Sequence, residues 1–292
     1  MILLNGKETS NQIKDEIALA TKKFIANGNR APHLAAILVG TDGASMTYVN
    51  AKVKACAKAG FESTLVRLSE EISEERLLHE IDTLNRNKQI DGFIVQLPLP
   101  KHIDEQKVLM AVNPDKDVDG FHPMNVGKMT LNLPTFLPAT PFGILQLLER
   151  YNIETSGKHV VVIGRSNIVG SPMSILLAQK RTAGNATVTI THSRTKNLKE
   201  ITLQADIIVA ALGIPEFLTA DMVKNDVTVI DVGITRVPDT SKKSGFRLAG
   251  DVDFKSVSKK AQYITPVPGG VGPMTIAMLL QNTLLASQRR KN

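Results

Sequence analysis

This 292-residue sequence predicts an α/β fold in two domains. Three observations carry that prediction. Through the N-terminal half, short apolar runs alternate with longer amphipathic stretches, which argues for right-handed βαβ crossovers and a parallel sheet. A second series of apolar runs in the C-terminal half ends repeatedly in glycine turns. The length suits two cores of ordinary size, and the chain shows no internal repeat or low-complexity segment to suggest otherwise.

From Lys7 to Ile25, the residues Ile13, Ile17, Leu19, Ala20 and Phe24 recur at roughly helical spacing, and Gly28 and Pro32 close that helix. Leu34 to Val39 then reads as a strand, Ala44 to Ala59 as a helix and Phe61 to Leu68 as a strand. Ser73 to Asn87 reads as a helix and Gly92 to Leu97 as a strand. At about 100° per residue, Ser45, Tyr48 and Lys52 share a narrow stripe of the second helix, beside a core stripe of Val49, Val53 and Cys56. Gln96 lies at the carboxyl end of its strand, just before Pro98 and Pro100. Tyr48, Lys52 and Gln96 therefore converge on the rim where open α/β sheets hold ligands. Taken alone, Tyr-x-x-x-Lys is equally well read as a snorkelling surface pair. The run Asp115 to Gly120 imitates the start of a calcium loop, but its twelfth position is Val126 rather than Glu and Pro123 interrupts it. It reads instead as a rigid loop aiming a carboxylate at a ligand amino group, or as an ordinary capped turn; no metal site is expected.

After Phe136 to Pro141, a helix from Phe142 to Tyr151 leads into the second domain. There Val160 to Ile163 reads as a strand ending in Gly164-Arg165-Ser166-Asn167-Ile168-Val169-Gly170, with a helix from Pro172 to Gln179. In such a strand–turn–helix a nucleotide pyrophosphate rests on backbone N–H groups, as in a Rossmann-type dinucleotide-binding domain. The glycine spacing departs from G-x-G-x-x-G, and Arg165 adds a permanent cation. The next strand, Ala186 to Thr191, ends in His192-Ser193-Arg194-Thr195. No carboxylate stands there to accept a ribose 2′-OH, whereas hydroxyls and an arginine suit a 2′-phosphate, so the cofactor predicted is NADP. A solvated turn is the alternative. Later strands, Ile207 to Ala210 and Val227 to Asp231, lead to glycine turns at Gly213 and Gly233. The polar insert from Arg236 to Gly250 carries no assigned chemistry. A short strand, Tyr263 to Thr265, precedes the stiff, Pro- and Gly-dense run Pro266 to Thr275. The amphipathic helix from Met274 to Gln288 is read as returning to the first domain. The expected domains are thus 1–140 plus 273–292, with a parallel βαβ sheet, and 141–272, the Rossmann-type domain.

Composition narrows the partners. Aromatic residues make up 4% with no Trp, too few for a stacking surface, so nucleic acid is not expected. The net charge of +7 is scattered except at Gln288-Arg289-Arg290-Lys291, and favours small anionic ligands. Cys56 is alone, which excludes an intrachain disulfide and fits a reducing, cytoplasmic setting. Met1 to Leu4 is too short for a signal peptide, and no apolar run approaches a membrane span.

Five segments occur in a telling order: Ser45-x-x-Tyr48-Val49-x-x-Lys52, Val95-Gln96-Leu97-Pro98-Leu99-Pro100, Lys116-Asp117-Val118-Asp119-Gly120, Gly164-Arg165-Ser166-x-x-Val169-Gly170-x-Pro172, and Pro266 to Thr275. With them the chain resembles the bifunctional methylenetetrahydrofolate dehydrogenase/cyclohydrolase family over nearly its whole length. Ala139 departs from the family, which often has Cys before Thr-Pro. The resemblance implies NADP-dependent oxidation of 5,10-methylenetetrahydrofolate to 5,10-methenyltetrahydrofolate, then hydrolysis to 10-formyltetrahydrofolate, in a cleft between the domains. It implies a place in one-carbon metabolism and purine biosynthesis, a folate substrate with or without a polyglutamate tail, and a homodimer. By the same resemblance Lys52 manages protons, Gln96 holds it, Tyr48 packs on the folate and Asp119 binds the pterin amino edge. Leu97, Pro268, Gly269, Gly270 and Val271 would line the folate and nicotinamide side. Gly164, Arg165, Ser166, Gly170, Ser193, Gly213 and Ile234 would hold the cofactor. An amino-acid or malate-type dehydrogenase, or an NADP-sensing protein, would share the nucleotide half without explaining Tyr48, Lys52, Gln96 and Asp119 together.

Overall fold

Side-chain caps and β-branched runs set the elements of this chain, which a computed structural model describes over residues 1–242 and 245–290. Strand β1 (Ile2–Leu3) and helix α1 (Gly6–Ala26) come first. They are followed by β2 (His33–Val39), α2 (Gly43–Ala59), β3 (Glu62–Leu68), α3 (Glu74–Arg86) and β4 (Gly92–Val95). Asp42 starts α2 by accepting the Ser45 N–H at 2.7 Å, and Gly60 ends it in a left-handed conformation at φ +76°. Ser73 caps α3 in the same way, with Glu74 and Glu75 in its positive first turn. Two short helices not predicted from the sequence, α4 (Glu105–Ala111) and α5 (Pro123–Thr130), are nucleated by Asp104 and His122, whose side chains accept first-turn N–H groups.

By its contacts the chain divides into two units, Asn11–Ala139 with Ile276–Asn292, and Met1–Ser10 with Thr140–Thr275. The first holds a parallel three-stranded sheet in the order β3-β2-β4. Its central strand β2 is buried from Leu34 to Val39, as a parallel strand covered on both faces must be. The segment after Asn113 runs beside β4: the Phe93 N–H donates to the Lys116 carbonyl at 2.9 Å, and Phe93 bridges Asp117. Gly92 is required there, since a Cβ would meet Val118 Cγ1 at 2.2 Å.

The end of the chain closes this unit. In helix α10 below, Asn282 is buried and its amide nitrogen donates to the carbonyls of Val118 (2.8 Å) and Leu137 (2.9 Å). Asp91, also buried, accepts both Arg30 nitrogens at 2.9 Å and the His33 N–H at 2.8 Å, and pairs with Arg290 Nε at 2.9 Å. Arg289 stacks its guanidinium 5.0 Å over the Phe136 ring. Two charges of the basic tail are therefore spent inside the fold; Lys291 lies outside the described residues.

The second unit contains α6 (Ala139–Arg150) from Thr140 on, β5 (His159–Ile163), α7 (Gly170–Ala178), β6 (Thr187–Thr191), α8 (Leu198–Leu203), β7 (Ile207–Ala210) and β8 (Thr228–Asp231). Then come the antiparallel pair β9 (Thr235–Pro238) and β10 (Phe246–Ala249), α9 (Phe254–Val257), β11 (Tyr263–Ile264) and the start of α10 (Val271–Gln288). Six parallel strands form one sheet in the order β1-β11-β8-β7-β5-β6. The α/β class, the two parallel sheets and the returning last helix are as predicted. The N-terminus is not. Ile2 and Leu3 pair with Tyr263 and Ile264, so the first ten residues belong with the dinucleotide sheet and not, as the expected 1–140 boundary had it, with the other unit. The insert to which no chemistry was assigned is the β9–β10 hairpin over its described residues.

Removing the Asn282 amide leaves two buried carbonyls without a donor, so Asn282→Ala should lower unfolding stability by about 2 kcal/mol. The check is an earlier urea midpoint with an unchanged m-value.

Candidate active site

The first unit assembles its polar residues at the carboxyl ends of β2 and β4. Lys52, in the third turn of α2, is 8% exposed, and its ammonium donates to Gln96 Oε1 at 3.1 Å. Gln96 is itself fixed: its backbone N–H continues the sheet to the Ile37 carbonyl at 2.9 Å, and its amide nitrogen donates to the Leu97 carbonyl at 2.7 Å. Ser45 is buried and Tyr48 half-buried on the same face of α2. The predicted convergence of Lys52 and Gln96 is thus a hydrogen bond.

Asp119 reaches this group through the loop read from the sequence as rigid and aiming a carboxylate, or as a capped turn. Its organiser is Asp117, which is buried and accepts the N–H groups of Gly120 (3.1 Å), Phe121 (3.2 Å) and His122 (2.7 Å) and the Asn125 amide (2.9 Å). Gly120 turns the chain at φ +76°, where a Cβ would strike the Leu137 carbonyl carbon at 2.7 Å. Asp117 and Asn282 thereby fix the backbone on either side of Val118, and Asp119 follows. The repeated Asp spacing in Asp115 to Gly120 was the signal for Asp117; for Asn282 the sequence offers none.

Electrostatics make the group unusual. Burial pushes the Lys52 ammonium below the usual lysine range, opposed by the charges of Asp119 and Cys56. Burial pushes the Asp119 carboxyl up to about 6, with Lys52 opposing and Asp117 adding. Burial also raises the Tyr48 hydroxyl, and takes the Cys56 thiol up to about 12. Burial thus draws this base and this acid toward each other in pKa, as at sites that move protons.

The second unit offers a different edge. The strand order places β6 on one side of β5 and β7 with β8 on the other, which makes β5 the switch point of a doubly wound sheet. Gly164, at φ +118°, and Gly170 allow the turn after β5 to fold on itself: a Cβ on Gly164 would lie 2.1 Å from the Ala211 carbonyl oxygen, and one on Gly170 would lie 2.2 Å from that of Gly164. Ser166 Oγ accepts the N–H groups of Val169 and Gly170 at 3.3 Å, while Arg165 and Ser166 stay exposed. After β6, the His192 N–H donates to Thr195 Oγ1 at 2.9 Å in a tight turn that leaves Ser193 and Arg194 exposed at its tip. Gly213 and Ile234 are exposed at the ends of β7 and β8. A dinucleotide fits this edge, with cations and hydroxyls at the β5 and β6 turns and no carboxylate there. Further along the chain, the Gly269 carbonyl accepts the Lys7 N–H at 2.8 Å and Gly270 abuts Gly6, which pins this turn against the start of α1.

Comparison with known proteins matches both halves. Residues 4–119 match the catalytic domain of tetrahydrofolate dehydrogenase/cyclohydrolase, and residues 138–291 its NAD(P)-binding domain. The chain belongs to this family. It is similar to the bifunctional protein FolD of Flavobacterium psychrophilum, at 65% identity over 100% of this chain and 99% of the relative. Among solved structures, it is similar to the bifunctional enzyme FolD of Campylobacter jejuni, with TM-score 0.92, 49% identity and full coverage of both chains. It is also similar to the Trypanosoma brucei methylenetetrahydrofolate dehydrogenase–cyclohydrolase complexed with NADP and an inhibitor, with TM-score 0.93 and 39% identity over 99% and 98% of the two chains. Membership makes the chain an enzyme of tetrahydrofolate one-carbon metabolism with two activities, a dehydrogenase and a cyclohydrolase, as the motifs implied.

The raised Asp119 carboxyl has a consequence for stability. A carboxyl held above its ordinary value of 3.8 in the fold binds more protons folded than unfolded, so its contribution is full below about pH 4 and is lost as pH rises through about 6. The stability difference between wild type and Asp119→Asn should therefore change across that window and be level above it, which thermal melts at stepped pH would show.

Proposed function

We propose that this enzyme oxidises 5,10-methylenetetrahydrofolate with NADP⁺ and hydrolyses the methenyl product to 10-formyltetrahydrofolate, with Lys52 as the proton-handling group of the second step. The observation that carries this reading is the buried Lys52 ammonium anchored on Gln96 Oε1. NADP⁺, when bound, supplies the hydride acceptor. The folate's own nitrogens delocalise the methenyl cation, so in the first step the protein mainly orients donor and acceptor.

In the second step water adds to the methenyl carbon, one C–N bond opens and a proton is released. A lysine whose charged form is disfavoured by burial can take that proton at Nζ, and a cationic substrate nearby disfavours the ammonium further. Gln96 holds Nζ in one place. Tyr48 packs against the folate, Asp119 accepts from the pterin amino edge and Leu97 lines that side; in the other unit Pro268, Gly269, Gly270 and Val271 supply apolar and backbone surface. Arg165, Ser166 and Ser193 hold the 2′-phosphate, Gly164 and Gly170 let the pyrophosphate approach the backbone, and Gly213 and Ile234 flank the nicotinamide. The NADP bound by the Trypanosoma brucei relative supports the cofactor.

The rest of the reading is coarser in its support. A folate bearing a polyglutamate tail suits a chain with net charge +7. Purine biosynthesis is the use we assign to the formyl product. A lone, buried Cys56 suits the cytoplasm. Strand β6 ends the large sheet with Ile190 exposed, an open edge of the kind a homodimer through the dinucleotide unit would cover.

Two variants separate the steps. Lys52→Met should cut formation of 10-formyltetrahydrofolate from the methenyl compound by about a hundredfold or more while hydride transfer persists; an undiminished hydrolysis rate removes Lys52 from its role. Arg165→Ala should raise the KM for NADP⁺ far more than that for NAD⁺, and equal losses would place Arg165 on a group common to both.

A further inference from the structure

Two buried carboxylates of the dinucleotide unit take no part in the roles given so far. Asp231, which ends β8, is 3% exposed and Asp251 is fully buried. Asp231 Oδ1 accepts the N–H groups of Gly233 (3.0 Å) and Asp251 (2.8 Å), and its Oδ2 accepts that of Val252 (3.1 Å). Asp251 Oδ2 accepts the N–H groups of Leu212 (2.6 Å) and Gly213 (2.9 Å), while its Oδ1 is buried with no donor. Both are pressed onto backbone: a Cβ on Gly233 would lie 2.3 Å from Asp251 Oδ1, and one on Gly250 would lie 1.9 Å from Asp231 Oδ2. The pair thus laces the turn after β7 to the turn after β8.

Neutral amides could tie the same turns, so the presence of charge needs its own reason. Among the described residues no Lys or Arg pairs with either carboxylate, and a buried anion without a cation costs stability. Position supplies the reason. On the reading above, β6 and its turn receive the adenosine 2′-phosphate, so across the switch point the ends of β7 and β8 receive the nicotinamide half. That ring is a cation when oxidised and neutral when reduced.

We propose that Asp231 and Asp251 are specificity-determining residues that make the site prefer the oxidised over the reduced cofactor, by holding fixed negative charge under the turns that receive the nicotinamide. The inference rests on the dinucleotide reading under Proposed function. Burial pushes Asp231 up to about 7, with Asp251 adding to the effect, and burial raises Asp251 as well. The preference therefore grows as pH rises through neutrality and Asp231 becomes charged. Apart from Asp251, which meets Asp231 through its backbone N–H, the charged groups lining a cavity with Asp231 are Glu216, Arg247, Asp253 and Lys255. Arg247 is already paired with Glu216 at 2.9 Å, and Asp253 caps α9.

The test measures dissociation constants of the full chain for NADP⁺, NADPH and 2′-phosphoadenosine diphosphoribose, which lacks nicotinamide. Asp251→Asn is near-isosteric: its amide oxygen can keep the Leu212 and Gly213 donors while the amide nitrogen takes the donor-free position. Asp251→Asn and Asp231→Asn should each weaken NADP⁺ by about five- to tenfold, as loss of one charge through a partly screened interior allows, and leave NADPH and the truncated ligand within about twofold. Equal weakening of all three would reduce the pair to a structural tie and overturn the proposal. Wild type provides an arm that needs no substitution: between pH 6 and 8 its affinity ratio for NADP⁺ over NADPH should rise severalfold, the 2′-phosphate cancelling because both carry it. A level ratio overturns the proposal even if the variants fail to fold. A wild type that binds none of the three ligands overturns the dinucleotide reading itself, and this inference with it.

Discussion

A buried ammonium is the constraint on which the first unit depends. Lys52 sits on an apolar helix face with Val49 and Cys56 beside it, where a charge is disfavoured unless something polar is held against it. Gln96 provides that partner, and it can do so because its backbone still belongs to the sheet while its side chain has passed the last strand residue. The short β4 strand, the prolines that end it and the loop carrying Asp119 all serve one requirement. They bring oxygen atoms to a nitrogen that the helix has buried.

The second unit solves a related problem with backbone instead of side chains. Its parallel strands all end at one edge, and there the chain uses glycine wherever two turns must touch. The contact between the Gly164 and Ala211 turns leaves room for no Cβ, and Gly170 packs on Gly164 in turn. Charge enters only at the periphery, through Arg165 and Arg194, or beneath the turns, through Asp231 and Asp251. One unit therefore sets polar side chains around a buried ammonium, and the other presents a scaffold of backbone N–H groups.

Much of this was legible in the sequence because it is local. The strand–helix alternation of 34–97, the Ser45–Tyr48–Lys52 stripe and the Gly164 turn depend on residues within a few positions of one another, and the structure keeps them. Most of what escaped depends on partners far along the chain. Strand β1 is two exposed residues that become a strand only beside β11. Helices α4 and α5 are too short for a periodic pattern to stand out, and they exist because Asp104 and His122 cap them. Asn282 reads as one polar residue in an apolar helix until its two carbonyl partners are seen, and Asp91 as one acid among many until Arg30 and Arg290 converge on it.

The pairing of the first strand with the last also governs how the molecule comes into being. A ribosome delivers Ile2 and Leu3 long before Tyr263 and Ile264, and the helix bearing Asn282 and the Arg290 anchor later still. Neither unit can be completed before residues 263–290 are made, because each takes a piece from that segment. The nascent protein must wait with one sheet edge unpaired and one loop carbonyl pair unmet, which lengthens its exposure to aggregation and to chaperones. Both units are sealed by that one segment, so a product ending before it cannot present one finished half.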